Sequence, residues 1–163
     1  MAGLHIPNSK QVEKHVLSGL LKYPEIFLDI ATFISEKDFF QDLHQTIFIV
    51  IKQSILNNEK IDKVLIANKI KNLGVTFDDS ITIFDYIENL FLTQITKEAA
   101  TESCKELAKL RISREIFLTF DDGKKYICDN LNKPVDEIIG GCDKIYGDKI
   151  TSYSLGDEPE NLF

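Results

Sequence analysis

The sequence predicts an all-α protein: a compact six-helix globular subdomain followed by a two-helix hairpin. Three observations carry this. Apolar residues recur three and four apart along almost the whole chain, the spacing of one helix face, and no convincing run alternates with the period of two that marks a half-buried strand. Capping residues and stop signals punctuate the apolar runs at helix length. In the second half, Leu110, Phe117, Phe120, Ile127 and Leu131 are separated by seven, three, seven and four residues, a heptad-like stripe suited to packing along a partner helix.

The first helix is expected after Pro7, with Asn8 as cap and Gln11 completing a capping box. Val12, Val16, Leu17, Leu20 and Leu21 form its apolar face, and Tyr23-Pro24 ends it, because a residue before proline disfavours helical geometry. A short helix carries Ile26, Phe27, Ile30 and Phe33-Ile34, and Ser35 caps a turn through Phe39-Phe40. The next helix runs from about Asp42 to Leu56, with Ile47, Phe48, Ile51 and Ile55 inward and Asn57-Asn58 as its exit. Asp62 caps another, with Val64-Leu65, Ile70 and Leu73 apolar, and Gly74 stops it by accepting a left-handed backbone. Asp78 to Ser80 is expected to open a helix with Ile83, Phe84, Ile87, Leu90 and Phe91 on its face.

Thr96 caps a long helix through Cys104, Leu107, Leu110, Ile116-Phe117, Phe120, Ile127 and Leu131. Asp121-Asp122-Gly123 interrupts it and is expected to kink or break it, since glycine costs about 1 kcal/mol relative to alanine. Asn132-Lys133-Pro134 is a turn, and a last helix from about Val135 to Lys149 carries Ile138, Ile139, Cys142 and Ile145, weakened by Gly140-Gly141 and Gly147. From Thr151 the chain turns polar and acidic. The expected boundaries are residues 6–100 for the globular subdomain, 101–150 for the hairpin and 151–163 for the start of a linker. The hairpin stripe needs cover: the hairpin either folds back on the globular part or pairs with another chain. Leu110, Phe117, Phe120, Ile127, Leu131, Ile138 and Ile145 are the candidate interface residues, with intramolecular core as the competing assignment.

Composition narrows the function. With 163 residues, 44% hydrophobic and 28% charged, the chain suits one domain, or one with an appendage. No run reaches a membrane span and the first residues lack a signal pattern, so a cytoplasmic location is the default. The net charge of −7 argues against strong autonomous DNA binding, although Lys60, Lys63, Lys69 and Lys71 make a local basic patch that a solvated helix face would also explain. Cys104, Cys128 and Cys142 fit neither a disulfide framework nor a zinc motif. His5, His15 and His44 are scattered, and His44 reads as a structural histidine rather than a general base. Gly123-Lys124-Lys125 lacks the upstream glycine and final hydroxyl of a phosphate cradle. No catalytic, cofactor-binding or metal-ligating residue is assigned.

Read together, the motifs of residues 6–150 resemble the N-terminal domain of DnaB-type replicative DNA helicases. Pro7, Glu13, Val16-Leu17 and Leu20-Leu21 stand where the family opens. Asp38-Phe39-Phe40, His44 and Ile47-Phe48 follow, then Ile61-Asp62 and Leu73-Gly74, then Tyr86-Ile87, Leu90 and Arg114-Glu115. Thr82-Ile83 replaces a usual Gly-Gly, and Ser103-Cys104 a usual Tyr-Ala. The resemblance implies a non-catalytic collar domain that forms hairpin-paired dimers within a hexamer and docks primase and sometimes a loader. It further implies an ATP- and magnesium-dependent RecA-like motor beyond a linker, with Leu162-Phe163 inside that linker. Whether this chain is itself an enzyme stays open, since the motor would belong to the parent protein. The alternative is a free-standing helicase-binding adaptor or primase-type helicase-binding domain.

Overall fold

The structure, a computed structural model, describes residues 3–78 and 82–154. Among these residues there are seven α-helices, two 3-10 turns and no strand. The helices are α1 (Lys10–Lys22), α2 (Phe27–Ile30), α3 (Asp42–Leu56), α4 (Lys63–Asn72), α5 (Ile83–Leu92), α6 (Lys97–Asp129) and α7 (Val135–Ser154); the 3-10 turns are Pro24–Ile26 and Glu36–Asp38. The chain divides into two units, Ser9–Arg111 and a second one in which residues 3–8 join the segment from Ile112 onward. Helix α6 contributes to both.

In the Ser9–Arg111 unit, α1 packs on α3 and α5, and α4 packs on α3 and α5. Val16, Leu17 and Leu20 of α1, Ile47, Phe48 and Ile51 of α3, Ile66 and Ile70 of α4, Ile87 of α5 and Leu107 of α6 are fully buried. The ring centroids of Phe39 and Phe48 lie 5.0 Å apart. Gly19 is required where α1 meets α6: a Cβ there would stand 2.3 Å from the Ala100 Cβ.

Most caps lie where sequence spacing puts them. Asp62 Oδ1 accepts from the Val64 and Leu65 amides at 2.9 and 3.2 Å. Ser35 and Asp38 form a capping box, with the Ser35 amide donating to Asp38 Oδ2 at 2.7 Å. Thr96 Oγ1 accepts from the Ala99 amide at 3.1 Å, and Gly74 has φ +67°.

Four expectations are corrected. Ser9, not Asn8, caps α1: its hydroxyl accepts from the Val12 amide at 3.3 Å, while the Asn8 amide donates to the Ile6 carbonyl at 2.7 Å and Gln11 reaches His15 instead. Asp79 and Ser80 lie outside the described residues, and α5 starts at Ile83 behind Thr82. Helix α6 passes through Asp121-Asp122-Gly123 unbroken, as one helix of 33 residues. One glycine costs too little to break it, and Lys124 Nζ, 3.6 Å from Asp121 Oδ1, spans the same turn. Helix α7 continues to Ser154, past the polar switch at Thr151. Its C-terminal part is held to α6 by the Tyr153 hydroxyl on the Glu115 carboxylate and by Lys149 Nζ, 3.3 Å from Glu115 Oε2. The rest of the expected linker lies outside the described residues.

Candidate protein-interaction surface

Two features of the molecule could carry chemistry or recognition: a polar relay inside the Ser9–Arg111 unit, and the exposed face of the hairpin.

The relay begins at Glu13, whose side chain is 1% exposed. Its carboxylate accepts from the Phe40 and Gln41 amides and pairs with His44 Nδ1. Helix α3 has no cap from its own Gln41 side chain. Glu13 of α1 instead places an anion at the start of α3, on the amides of the two residues that precede it. On the other side of the imidazole, His44 Nε2 lies 2.7 Å from the Tyr86 hydroxyl. An imidazole donating from Nδ1 to Glu13 leaves Nε2 to accept from Tyr86. Burial, with the Glu13 charge second, pushes the Tyr86 phenol up to about 12, so it keeps its proton. Every donor is matched and His44 is fully buried, out of reach of a substrate. The chain of groups ties α1, α3 and α5 together; it positions helices. Among the described residues no three His, Cys, Asp or Glu side chains cluster as metal ligands, and no helix is long and apolar enough to cross a membrane.

The hairpin is formed by the C-terminal part of α6 and by α7. Its inner side is held by specific pieces. A Cβ on Gly141 would stand 2.1 Å from Tyr126 Cζ, so glycine is what admits the Tyr126 ring against α7. The Tyr126 hydroxyl donates to the Glu137 carbonyl at 3.3 Å. The buried Arg114 donates from Nη1 to the Pro7 carbonyl at 3.0 Å, fixing the N-terminal segment of this unit. Phe120 stacks on Tyr146 with centroids 5.6 Å apart.

Of the candidate interface residues, Leu110 falls in the Ser9–Arg111 unit and is half-buried; the other six lie on the hairpin. Phe120, Ile127 and Leu131 are exposed, Leu131 by 71%. Phe117, Ile138 and Ile145 are half-buried. Sequence reasoning missed Leu118, Val135, Ile139, Tyr146 and Ile150, all of them exposed. On α7 the exposed stripe is Ile139, Tyr146 and Ile150, one residue over from Ile138 and Ile145. The signal was present in their spacing of seven and four, but it appears only when tyrosine is counted as apolar. Phe120 and Tyr146 stack across the two helices, so the exposed apolar residues of α6 and α7 meet at this pair.

A model of the DnaB-like helicase N-terminal domain matches residues 5–109, more than half of the chain. The chain belongs to this family. Among solved structures it is similar to the N-terminal domain of DnaB helicase from Mycobacterium tuberculosis, with a TM-score of 0.74, 19% identity, and coverage of 86% of this chain and 98% of that one. No curated protein sequence matches significantly. The chain thus has the all-α fold of a DnaB-like N-terminal domain, the domain of a replicative helicase. Glu13, His44 and Tyr86 are the relay, Asp38 closes the capping box, and Asp62 and Gly74 start and stop α4. The family model ends at residue 109, within α6 and before the exposed apolar residues of the hairpin.

Proposed function

We propose that this DnaB-like domain assembles a replicative helicase through its hairpin. It pairs as a dimer within a hexamer and docks primase, and in some systems a loader, during DNA replication. ATP-driven unwinding, with ATP and magnesium, resides in a separate RecA-like domain of the parent protein, and the domain itself grips DNA weakly. One observation carries the assembly reading: every buried apolar side chain among the described residues lies between Val16 and Ala108, none on the hairpin. A segment of about 40 residues without a buried core is marginal unless something covers it. The hairpin meanwhile exposes Phe120, Ile127, Leu131, Ile139, Tyr146 and Ile150, and a contiguous exposed apolar surface marks an interaction site. The negative overall charge supports weak DNA binding.

Light scattering across a concentration series tests the reading. The wild-type chain is expected to self-associate, and Phe120→Asp with Leu131→Asp to be monomeric with unchanged helix content. A wild-type chain that stays monomeric at high concentration, or variants that associate as well as it does, would overturn the assembly role. Pull-down of the cognate primase by the wild type but not by the double variant tests the docking role separately.

A further inference from the structure

The four lysines around α4 remain unused by the assembly reading. The fold neutralises two of them. Lys63 Nζ lies 2.6 Å from Glu88 Oε1 and 5.8 Å from the centroid of the Phe84 ring. Lys69 pairs with Glu59 and donates to Ser54 Oγ at 2.9 Å. Lys60 and Lys71 are exposed and make no ion pair among the described residues. Between them, the solvent side of α4 presents Val64 and Leu65, 46% and 48% exposed, and then Asn68. Ile66, Ala67 and Ile70 fill the buried side. Leu73 and Val75 continue the exposed apolar residues past the end of the helix.

The carboxylates next to this face are already committed. Asp62 caps α4, Glu59 holds Lys69 and Glu88 holds Lys63. What stays open is an aliphatic centre with an unpaired cation on either side, in a chain whose net charge is −7. We propose that this face of α4 docks an amphipathic helix of a separate protein, one whose apolar residues are flanked by carboxylates. Its apolar side chains cover Val64 and Leu65. Lys60 precedes α4 and Lys71 lies in its last turn, so one cation stands beyond each end of the Val64–Asn68 stretch, and the partner's carboxylates flank its apolar residues on both sides. The polar rim would set orientation and partner choice more than raw affinity. A nucleic acid fits this face less well. The exposed α4 side chains between the lysines, Val64, Leu65 and Asn68, are aliphatic and amide, the exposed Phe84 ring is faced by Lys63, and two free lysines neutralise few phosphates.

The test titrates a synthetic helical peptide, with leucines on one face and glutamates on both flanks, into the isotope-labelled 163-residue chain, followed by amide chemical shifts. Shifts should centre on Lys60–Val75. Lys60→Glu with Lys71→Glu should weaken binding by about tenfold or more, with other amide positions unchanged because both side chains are exposed. The same peptide with lysines for glutamates should not bind, and Phe120→Asp should bind like wild type. Shifts confined to the hairpin, or equal affinity in the charge-reversed variant, would overturn the proposal. So would a single-stranded oligonucleotide that moves the same amides at lower concentration, which would make the face a nucleic-acid contact.

Discussion

In the Ser9–Arg111 unit a set of large aliphatic side chains is fully buried, whereas among the described residues of the hairpin none is. The first unit buries Val16, Leu17, Ile47, Phe48, Ile66 and Ile87, and satisfies Glu13 and His44 within a closed relay. The hairpin buries Arg114 and Thr119 and leaves Phe120, Leu131, Ile139 and Tyr146 in solvent. Both are regular helix, so secondary structure does not distinguish them; the destination of the apolar side chains does. A unit that has filled its own core can be stable alone, while one that has not keeps its apolar surface for something else.

That contrast can be broken by substitution, and the largest effect is expected at Glu13. Glu13→Ala removes the acceptor of the fully buried His44 and of the part-buried Phe40 and Gln41 amides. The expected loss is about 3–5 kcal/mol, read by chemical denaturation. A loss below about 1 kcal/mol would mean that the relay does not hold the first unit together.

Alkaline pH probes the same core. Burial, with the Asp38 charge second, pushes the Cys104 thiol up to about 12 from 9.0, and Tyr86 rises to about 12 from 10.0. Both groups are neutral when protonated. The folded state holds those protons after the unfolded chain has released them, so stability is complete below pH 9 and falls between 9 and 12. Each group adds a slope of up to about 1.4 kcal/mol per pH unit. In Tyr86→Phe the extra slope above pH 10 should vanish while the Cys104 slope stays; an unchanged profile would remove Tyr86 from the account.

Within the hairpin, two adjacent glycines separate packing from propensity. Gly141→Ala drives a Cβ into the Tyr126 ring and should cost about 1–2 kcal/mol. Gly140 has nothing within 4 Å of an added Cβ, so Gly140→Ala should gain up to about 1 kcal/mol. Thermal melts of the pair should therefore move in opposite directions, and shifts of the same sign would show that the inner side of the hairpin is not packed as described. The smallest effect sharpens the contrast most. Leu131→Asp, measured at concentrations where the chain is monomeric, should change stability by less than about 0.5 kcal/mol, because its side chain is 71% exposed.

Much of the fold could be read from local chemistry. The Asp62 cap, the Gly74 stop, the Ser35–Asp38 box and the Asp42–Leu56 helix are set by residues within one turn of each other, and one-dimensional reasoning reaches them. It misplaced the α1 cap by one residue because Asn8 and Ser9 are both good caps and only the backbone, extended at Ser9, decides between them. It expected a break at Gly123 because propensity weighs each residue alone, whereas helix propagation sums over the whole element. On the hairpin, the expected stripe coincides with exposed residues of α6 at Phe120 and Ile127 and of the following turn at Leu131, whereas on α7 Ile138 and Ile145 are half-buried and the exposed face runs through Ile139 and Tyr146. On a helix with isoleucine at both 138 and 139, pattern alone cannot say which one faces its neighbour; Tyr126 filling the space at Gly141 sets that rotation. The relay was invisible as a relay. Glu13, His44 and Tyr86 each looked ordinary, and their meeting depends on helix packing that no local spacing encodes.

The donation of a carboxylate from α1 to the start of α3 has a kinetic consequence. Helix nucleation is slow to become favourable because its first turn fixes several residues for one hydrogen bond. Here the amide of Gln41, the residue that leads into α3, gains its acceptor from a residue 28 positions earlier, so the entry to the helix is completed when α1 arrives rather than before. Folding of this unit then follows the encounter of two chain segments, and its rate carries the loop-closure entropy between them. On the ribosome α1 emerges first, so the group that α3 requires is already waiting when its own residues appear.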